Sequence, residues 1–248
     1  MNQHTVSEYI IGRTVPTLIW GCESEEFHTR VSLFNYYSLL NEKEPVSSQA
    51  YVYLFFENGA PAGRYDKVLK PLEQWQFNLS SAIPKFEGTI AVQLIPDTMP
   101  PLKHDRYVGT LFFVTYWDAH GHCDFTHETD RMRFGTDRKL QYEPAVIPTS
   151  PDIEMSIIVQ NSFFGHDMEK CDSRWFLEIR DHSGTVLVDH KGTLEPRASK
   201  ALAIEDLLPN YRKRLGGRPG SVHIKGRHIN QPLTLLRHVS GDFNIHHF

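Results

Sequence analysis

Along much of the chain apolar residues recur at every second position, the period of an extended strand with one face turned to a core. Trp75, Phe77 and Leu79 fall on one side of such a segment, and Ile90, Val92 and Leu94 on one side of another. Apolar positions three and four apart, which an amphipathic helix needs, are nearly absent. The run AYVYLFFE, Ala50 to Glu57, is apolar on both faces and predicts a strand central in its sheet or lying at an interface. Asn58-Gly59 and Ser183-Gly184 supply turn chemistry, and prolines punctuate the rest. The pattern predicts an all-β fold with short helical connections, chiefly Ile204 to Leu208 ahead of Pro209.

The order of these runs repeats. Ala50–Glu57, Asn58-Gly59, Val68–Lys70, Pro71, the Trp75–Leu79 alternation and Ile90–Leu94 come in the first half. Arg174–Arg180, Ser183-Gly184, Val186–Val188, Glu195-Pro196, Leu202 with Ile204, and Val222 with Ile224 follow in the same order in the second. Gly59 and Gly184 are 125 positions apart, as are Pro71 and Pro196. Equal offsets at a turn glycine and a later proline point to a duplicated module. Near the module ends Asp124-Phe125 matches Asp242-Phe243 at an offset of 118, with loops of different length absorbing the change. Pro144, Pro148 and Pro151 in YEPAVIPTSPD suit a stiff connector. Two tandem related β-sandwich modules are therefore predicted, at 1–147 and 148–248, in preference to one continuous two-sheet domain.

Ala50 to Phe77, with its alternating strand, the FFENGAPAG turn and the KPLEQWQFNL strand, resembles the central part of the sensory rhodopsin transducers, a family of small β-sandwich proteins. The resemblance implies a compact sandwich that assembles into oligomers and acts through partner or small-ligand contacts, without a settled catalytic site. That family has a single module, so no functional residue carries over.

Charge changes the picture by exclusion. With 26 basic and 30 acidic residues and a net charge of −4, the chain has no general attraction for nucleic acid or anionic membranes. No window approaches 18 uninterrupted apolar residues, so no spanning helix is predicted. The first residues lack the pattern of a secretory signal, and Cys22, Cys123 and Cys171 are odd in number and far apart. The expected compartment is reducing, with the cytoplasm as default.

Fourteen histidines are the chemical excess. His120, His122, His127 and Glu128 sit close in sequence, and histidine with carboxylate suits zinc, iron, nickel or manganese. The spacing is not HExxH, and solvent-exposed or structural histidines are the preferred reading. His246 and His247 end the chain, on opposite faces if the tail is a strand, and form a candidate terminal interaction site. Arg212, Lys213, Arg214 and Arg218, in a glycine-rich stretch, are candidate contacts for an anion or partner, without the lysine-hydroxyl ending of a Walker loop. Cys22 and Cys171 read as small buried residues.

Aromatics such as Tyr51, Tyr53, Trp75, Tyr116, Trp117 and Trp175 have strand spacing, which favours core packing over a ligand groove; a neutral sugar would need several exposed on one face. Nothing in the sequence signals covalent or phosphoryl chemistry. The expected function is a non-catalytic binding or assembly protein that presents small-ligand or protein-interaction surfaces, as a homo-oligomer or with a protein partner, and no cofactor is expected. The alternatives are a metal-dependent enzyme holding a transition metal at the histidine/carboxylate cluster and a carbohydrate-binding module with an exposed aromatic groove.

Overall fold

The structure, a computed structural model, describes residues 13–40, 45–99, 108–127, 130–131, 139–162 and 174–248. Glu128 and Cys171 lie outside the described residues. The first group of strands is β1 (Thr17–Glu23), β2 (Phe27–Phe34), β3 (Ser48–Phe56), β4 (Pro61–Leu69), β5 (Gln74–Asn78), β6 (Phe86–Pro96), β7 (Phe112–Asp118), β8 (Cys123–His127) and β9 (Asp130–Arg131). The second is β10 (Lys139–Gln141), β11 (Ala145–Ile147), β12 (Ile153–Gln160), β13 (Trp175–Arg180), β14 (Val186–Gly192), β15 (Ser199–Ala203), β16 (Gly220–Arg227), β17 (Leu233–His238) and β18 (Phe243–His247). Among the described residues the α-helices are single turns, α1 (Tyr37–Leu40), α2 (Ile204–Leu207) and α3 (Tyr211–Arg214), with a 3-10 turn at Leu79–Ser81. Of these, α2 lies where the sequence predicted one.

The fold is all-β, as two groups of antiparallel sheets linked by short helices. One sheet runs β4-β3-β6-β1-β9 and faces another ordered β5-β2-β7-β8. The sheet containing β14-β13-β16-β11 and the sheet β15-β12-β17-β18 reproduce the same orders except for β9, with β10 and β11 together pairing β16 where β1 pairs β6. Alternation drives each strand: along β2, Phe27, Thr29, Val31 and Leu33 are buried while His28, Arg30, Ser32 and Phe34 point away. Val31, Leu33 and Val114 of one sheet meet Ile19, Val52, Leu54, Ile90 and Val92 of the other in the first core. Ile157 and Val159 meet Leu177, Ile179, Val222 and Ile224 in the second.

The equal offsets have a structural cause. In the β3–β4 turn Phe56 N–H donates to Ala60 O and Gly59 N–H to Phe56 O; in the β13–β14 turn Asp181 and Gly184 make the same bonds to Thr185 and Asp181. Gly59 and Gly184 have φ of 80° and 86°, which glycine adopts at little cost. After Pro71 and Pro196 come Leu72 and Arg197 with φ of 63° and 67°, and Glu73 N–H and Ala198 N–H close the turns on Lys70 O and Glu195 O, each at 3.0 Å. A proline followed by a left-handed residue is a type II turn.

Two expectations are corrected. The β7–β8 and β17–β18 hairpins close identically, Gly121 N–H onto Asp118 O and Gly241 N–H onto His238 O, so the late offset is 120 rather than 118. Asp242 is thus the equivalent of His122, and Asn244 that of Asp124. The Pro-rich stretch is also not a bare connector: β10 and β11 pair with β16, so residues 139–147 belong to the second group of sheets rather than the first. Pro144 and Pro148 flank β11, a three-residue edge strand where a missing N–H is tolerated.

The two units are packed against each other. Met155, Ile157 and Val159 of β12 turn into the second core, whereas Ile158, with Leu233, Leu235 and Ile245, joins the first. Each such aliphatic side chain contributes about 1.5–3 kcal/mol when withdrawn from water. Polar links frame the junction: Gln160 Nε2 donates to Thr89 Oγ1 at 3.0 Å, Ser199 N–H to Glu57 O at 3.0 Å, and Ile245 N–H to Asp124 Oδ2 at 2.7 Å.

Candidate functional site

Because β5, β2, β7 and β8 alternate, their outward residues form a registered grid. Across the sheet His28, Trp117 and Cys123 make one row; Asn78, Arg30, Thr115 and Phe125 the next; Gln76, Ser32, Phe113 and His127 the third. Gln74 and Phe34 start a fourth. Phe113 is 57% exposed and Phe125 70%. Trp117 is held from its own sheet: the His28 ring lies 5.3 Å away and the Arg30 guanidinium 5.1 Å from the indole centroid. Arg30 is fixed by Asn78 Oδ1 at 2.6 Å, and His28 Nδ1 by the buried Glu23 carboxylate at 2.7 Å. These anchors fix Arg30 and His28 against Trp117 and leave the Phe113 and Phe125 rings outermost.

The sequence reading named Trp117 but missed Phe113 and Phe125. The signal was present: consecutive aromatics at 112 and 113 on a strand must point to opposite faces, so one of them leaves the core. Phe112 is the buried one.

The candidate histidines of the first hairpin divide between two places. At the β7–β8 hairpin tip Asp118 Oδ1 accepts the backbone N–H groups of His120 and His122, and Asp118 Oδ2 lies 2.7 Å from His122 Nδ1. His122 Nε2 lies 3.1 Å from Asp242 Oδ1 of the β17–β18 tip, and Asp242 Oδ2 accepts from Ser240 Oγ at 2.9 Å. The bond to Asp118 raises the His122 pKa against the opposing effect of burial, and Asp242 adds to the rise. Burial works to raise the Asp118 pKa, but hydrogen bonds from His122 and His120 outweigh it and hold the carboxyl below its usual range.

His127 sits at the far end of β8. Its ring is 4.5 Å from that of His247, the equivalent residue of the second hairpin, at an interplanar angle of 69°. Burial lowers the His247 pKa, helped by His127 and His246. His246 points elsewhere and bonds Asn244 Oδ1 at 2.6 Å. The structure therefore joins His120 to His122, with ring centroids 6.1 Å apart, and sets His127 apart from both. Among the described residues no group of three or more histidine, cysteine, aspartate or glutamate side chains converges as a metal would require.

The basic stretch is partly structural. Arg212 donates to Ser150 O and Ile153 O at 3.0 and 2.6 Å, Arg218 Nη1 lies 2.8 Å from His182 Nε2, and Arg214 is exposed at the end of α3. Arg212 and Lys213 line a cavity of about 400 Å³ that they share with Glu154 and Glu205, so its charge is mixed.

Neither a family model nor a curated protein matches the sequence. Among solved structures, a beta-glucuronidase from glycoside hydrolase family 2 aligns over 93% of this chain at 10% identity with a TM-score of 0.17, a score that says nothing of fold or activity. This chain spans 23% of that chain's length. No helix among the described residues is long and apolar enough to cross a membrane.

Proposed function

We propose that the chain is a non-catalytic binding protein whose β5-β2-β7-β8 face takes a neutral carbohydrate. The exposure of Phe113 and Phe125 on neighbouring strands carries the reading. Their rings offer flat apolar area to the C–H faces of a sugar, and Ser32, Thr115 and Gln76 stand within the same rows, with Gln74 in the next, to meet its hydroxyls. Size separates this reading from protein docking. Four strands about 4.8 Å apart, with outward residues over about 17 Å of length, give a flat face of roughly 300–400 Å², well below the about 800 Å² per partner of a stable protein interface. The residues of the grid include no carboxyl group, and glycoside hydrolysis ordinarily uses a pair of them, so binding rather than cleavage fits.

The test is affinity electrophoresis of the full chain through gels containing neutral β-glucan, xylan, mannan or starch, with Phe113→Ala and Phe125→Ala alongside. Retardation by at least one polymer, weakened about tenfold or more by either variant, supports the reading, since a stacked ring is worth about 1–3 kcal/mol. Unretarded migration in every gel overturns it. So does a concentration-dependent dimer in sedimentation that Phe125→Ala abolishes, which would assign the face to a second copy.

A further inference from the structure

We infer that the ligand of the β5-β2-β7-β8 face is an extended, ribbon-like β-1,4-linked chain laid diagonally across β2, β7 and β8, with Phe34 as a third stacking ring. The inference rests on the carbohydrate reading of that face and adds the linkage, length and direction of the ligand. Phe34 is 37% exposed at the end of β2. Ser32 pairs with Phe113, so Phe34 and Phe113 are offset by one strand and two residues. Thr115 pairs with Phe125, so Phe113 and Phe125 are offset by the same step in the same sense. Diagonal neighbours of this kind lie about 7–8 Å apart, which gives a line of three rings about 15 Å long.

A polar line runs beside the rings. The adjacent diagonal of the grid holds Gln74, Ser32, Thr115 and Cys123, one from each strand. Neither line contains a carboxylate, an ammonium or a guanidinium. An extended β-1,4-linked chain is a ribbon with C–H groups on its two flat faces and hydroxyls along its edges. Laid on the rings, it stacks one face on Phe34, Phe113 and Phe125 and turns one edge to the Ser32 and Thr115 hydroxyls and the Gln74 amide. An α-1,4-linked chain coils away from a straight line of rings, and a disaccharide is too short to reach from Phe34 to Phe125.

The second module shows what the same positions do when they pack against protein. Asn35 and Asn161, which follow the equivalent strands β2 and β12, are 126 positions apart, and the turn glycines Gly121 and Gly241 are 120 apart. The counterparts of Phe34, Phe113 and Phe125 are therefore Gln160, Leu233 and Ile245. All three are buried: Leu233 and Ile245 join the first core across the junction, and Gln160 bonds Thr89. Packing of module on module thus uses an amide and branched aliphatics, whereas the exposed face of the first module has a ring at each of these positions. A flat ring gives a sugar more contact than a branched aliphatic does.

Isothermal titration of the full chain with β-1,4-linked gluco-, xylo- and manno-oligosaccharides, each from the disaccharide to the hexasaccharide, and with maltohexaose tests the inference. In at least one β-1,4 series affinity is expected to rise about tenfold or more from the disaccharide to the hexasaccharide, with maltohexaose weaker than that hexasaccharide by about tenfold or more, since each stacked ring is worth a factor of that order. Phe34→Ala is expected to weaken the hexasaccharide about tenfold. Leu39→Ala, exposed on α1 and off both lines, is expected to leave it unchanged. Unchanged melting temperatures report intact folds. Affinity that stops growing at the disaccharide, a hexasaccharide insensitive to Phe34→Ala, or a preference for maltohexaose overturns the inference and leaves Phe113 and Phe125 as a carbohydrate site of another shape. A dimer in sedimentation that Phe34→Ala abolishes also overturns it, by giving the line of rings to a second copy. No heat from any saccharide overturns it together with the carbohydrate reading.

Discussion

Asn35 and Asn161, on equivalent positions after β2 and β12, make the same buried hydrogen bond: Asn35 Nδ2 donates to Leu69 O at 3.3 Å and Asn161 Nδ2 to Leu194 O at 2.8 Å. Their backbone N–H groups also bond equivalent carbonyls, Glu73 O and Ala198 O. Each amide thus ties the end of its strand to the approach of the proline turn. Asn35 reaches Val46 O and Lys70 O as well, and its Oδ1 accepts from Ser48 Oγ. Replacing either asparagine by alanine strands buried carbonyls, at about 1–3 kcal/mol for a group left unsatisfied. Urea denaturation is expected to show a loss of at least that size for Asn161→Ala and for Asn35→Ala. Wild-type midpoints would remove these amides from the account of the turn.

The duplication was legible where local chemistry dictates the backbone. Gly59 and Gly184 answer to positive φ and Pro71 and Pro196 to a type II turn, so sequence alone placed them correctly. The Asp-Phe match failed because it compared identities without the turn that aligns them: Gly121 and Gly241 set that register, and they place Asp242 against His122. The asparagine pair was invisible, since its meaning lies in acceptors more than 30 residues away. Outward Phe113 was hidden for another reason: apolar residues on both sides of β7 leave the buried side undetermined until a second sheet is in place. On β8 the inward positions are Asp124 and Thr126, so polarity alone would turn Phe125 the wrong way.

Gly59 and Gly184 have nearly the same φ but different surroundings. A Cβ on Gly184 would meet nothing within 4 Å, whereas one on Gly59 would run into Pro196 O and lie 3.1 Å from Ala198 N in the other module. Gly184→Ala should cost only the left-handed backbone term, about 1–2 kcal/mol. Gly59→Ala should cost that plus overpacking, about 1–3 kcal/mol more, because backbone cannot rotate away as a side chain can. Chemical denaturation of the two variants compares them directly. Equal losses would mean that the β3–β4 turn does not abut the second module.

Cys22 and Cys123 differ in reactivity for a stated cause. Burial, reinforced by Glu87, pushes the Cys22 thiol up to about 12, with Arg237 only partly opposing it. Cys123 is exposed on the outer face of β8. In a Cys171→Ser background, a disulfide reagent at pH 8 is expected to titrate one thiol in the native protein and two in guanidinium. Rapid native titration of both would contradict the raised Cys22 thiol that its partial burial produces.

His122 bridges the two hairpin tips, with Asp118 on its own turn, Asp242 across the junction, and His120 and Gly241 beside it. Its folded pKa is raised above the ordinary 6.5, so protonated His122 stabilises the junction fully below that value and the contribution fades as pH rises through the folded pKa. Asp118 has the opposite sign: its pKa is lowered from 3.8, so its contribution is present above that value and fades as pH falls through the folded pKa. The bridge is therefore strongest in mildly acidic solution. His122 and Asp242 are open to solvent, so the effect is small and salt-sensitive. Calorimetric melting from pH 5.5 to 9 is expected to show the gap between wild type and His122→Gln closing as pH rises, with Asp242→Asn giving a smaller gap of the same sign. Thirteen other histidines are common to both proteins, which is why the difference and not the curve is the readout. Parallel curves across the range would show that the Asp118–His122–Asp242 bridge contributes nothing to holding the hairpins together.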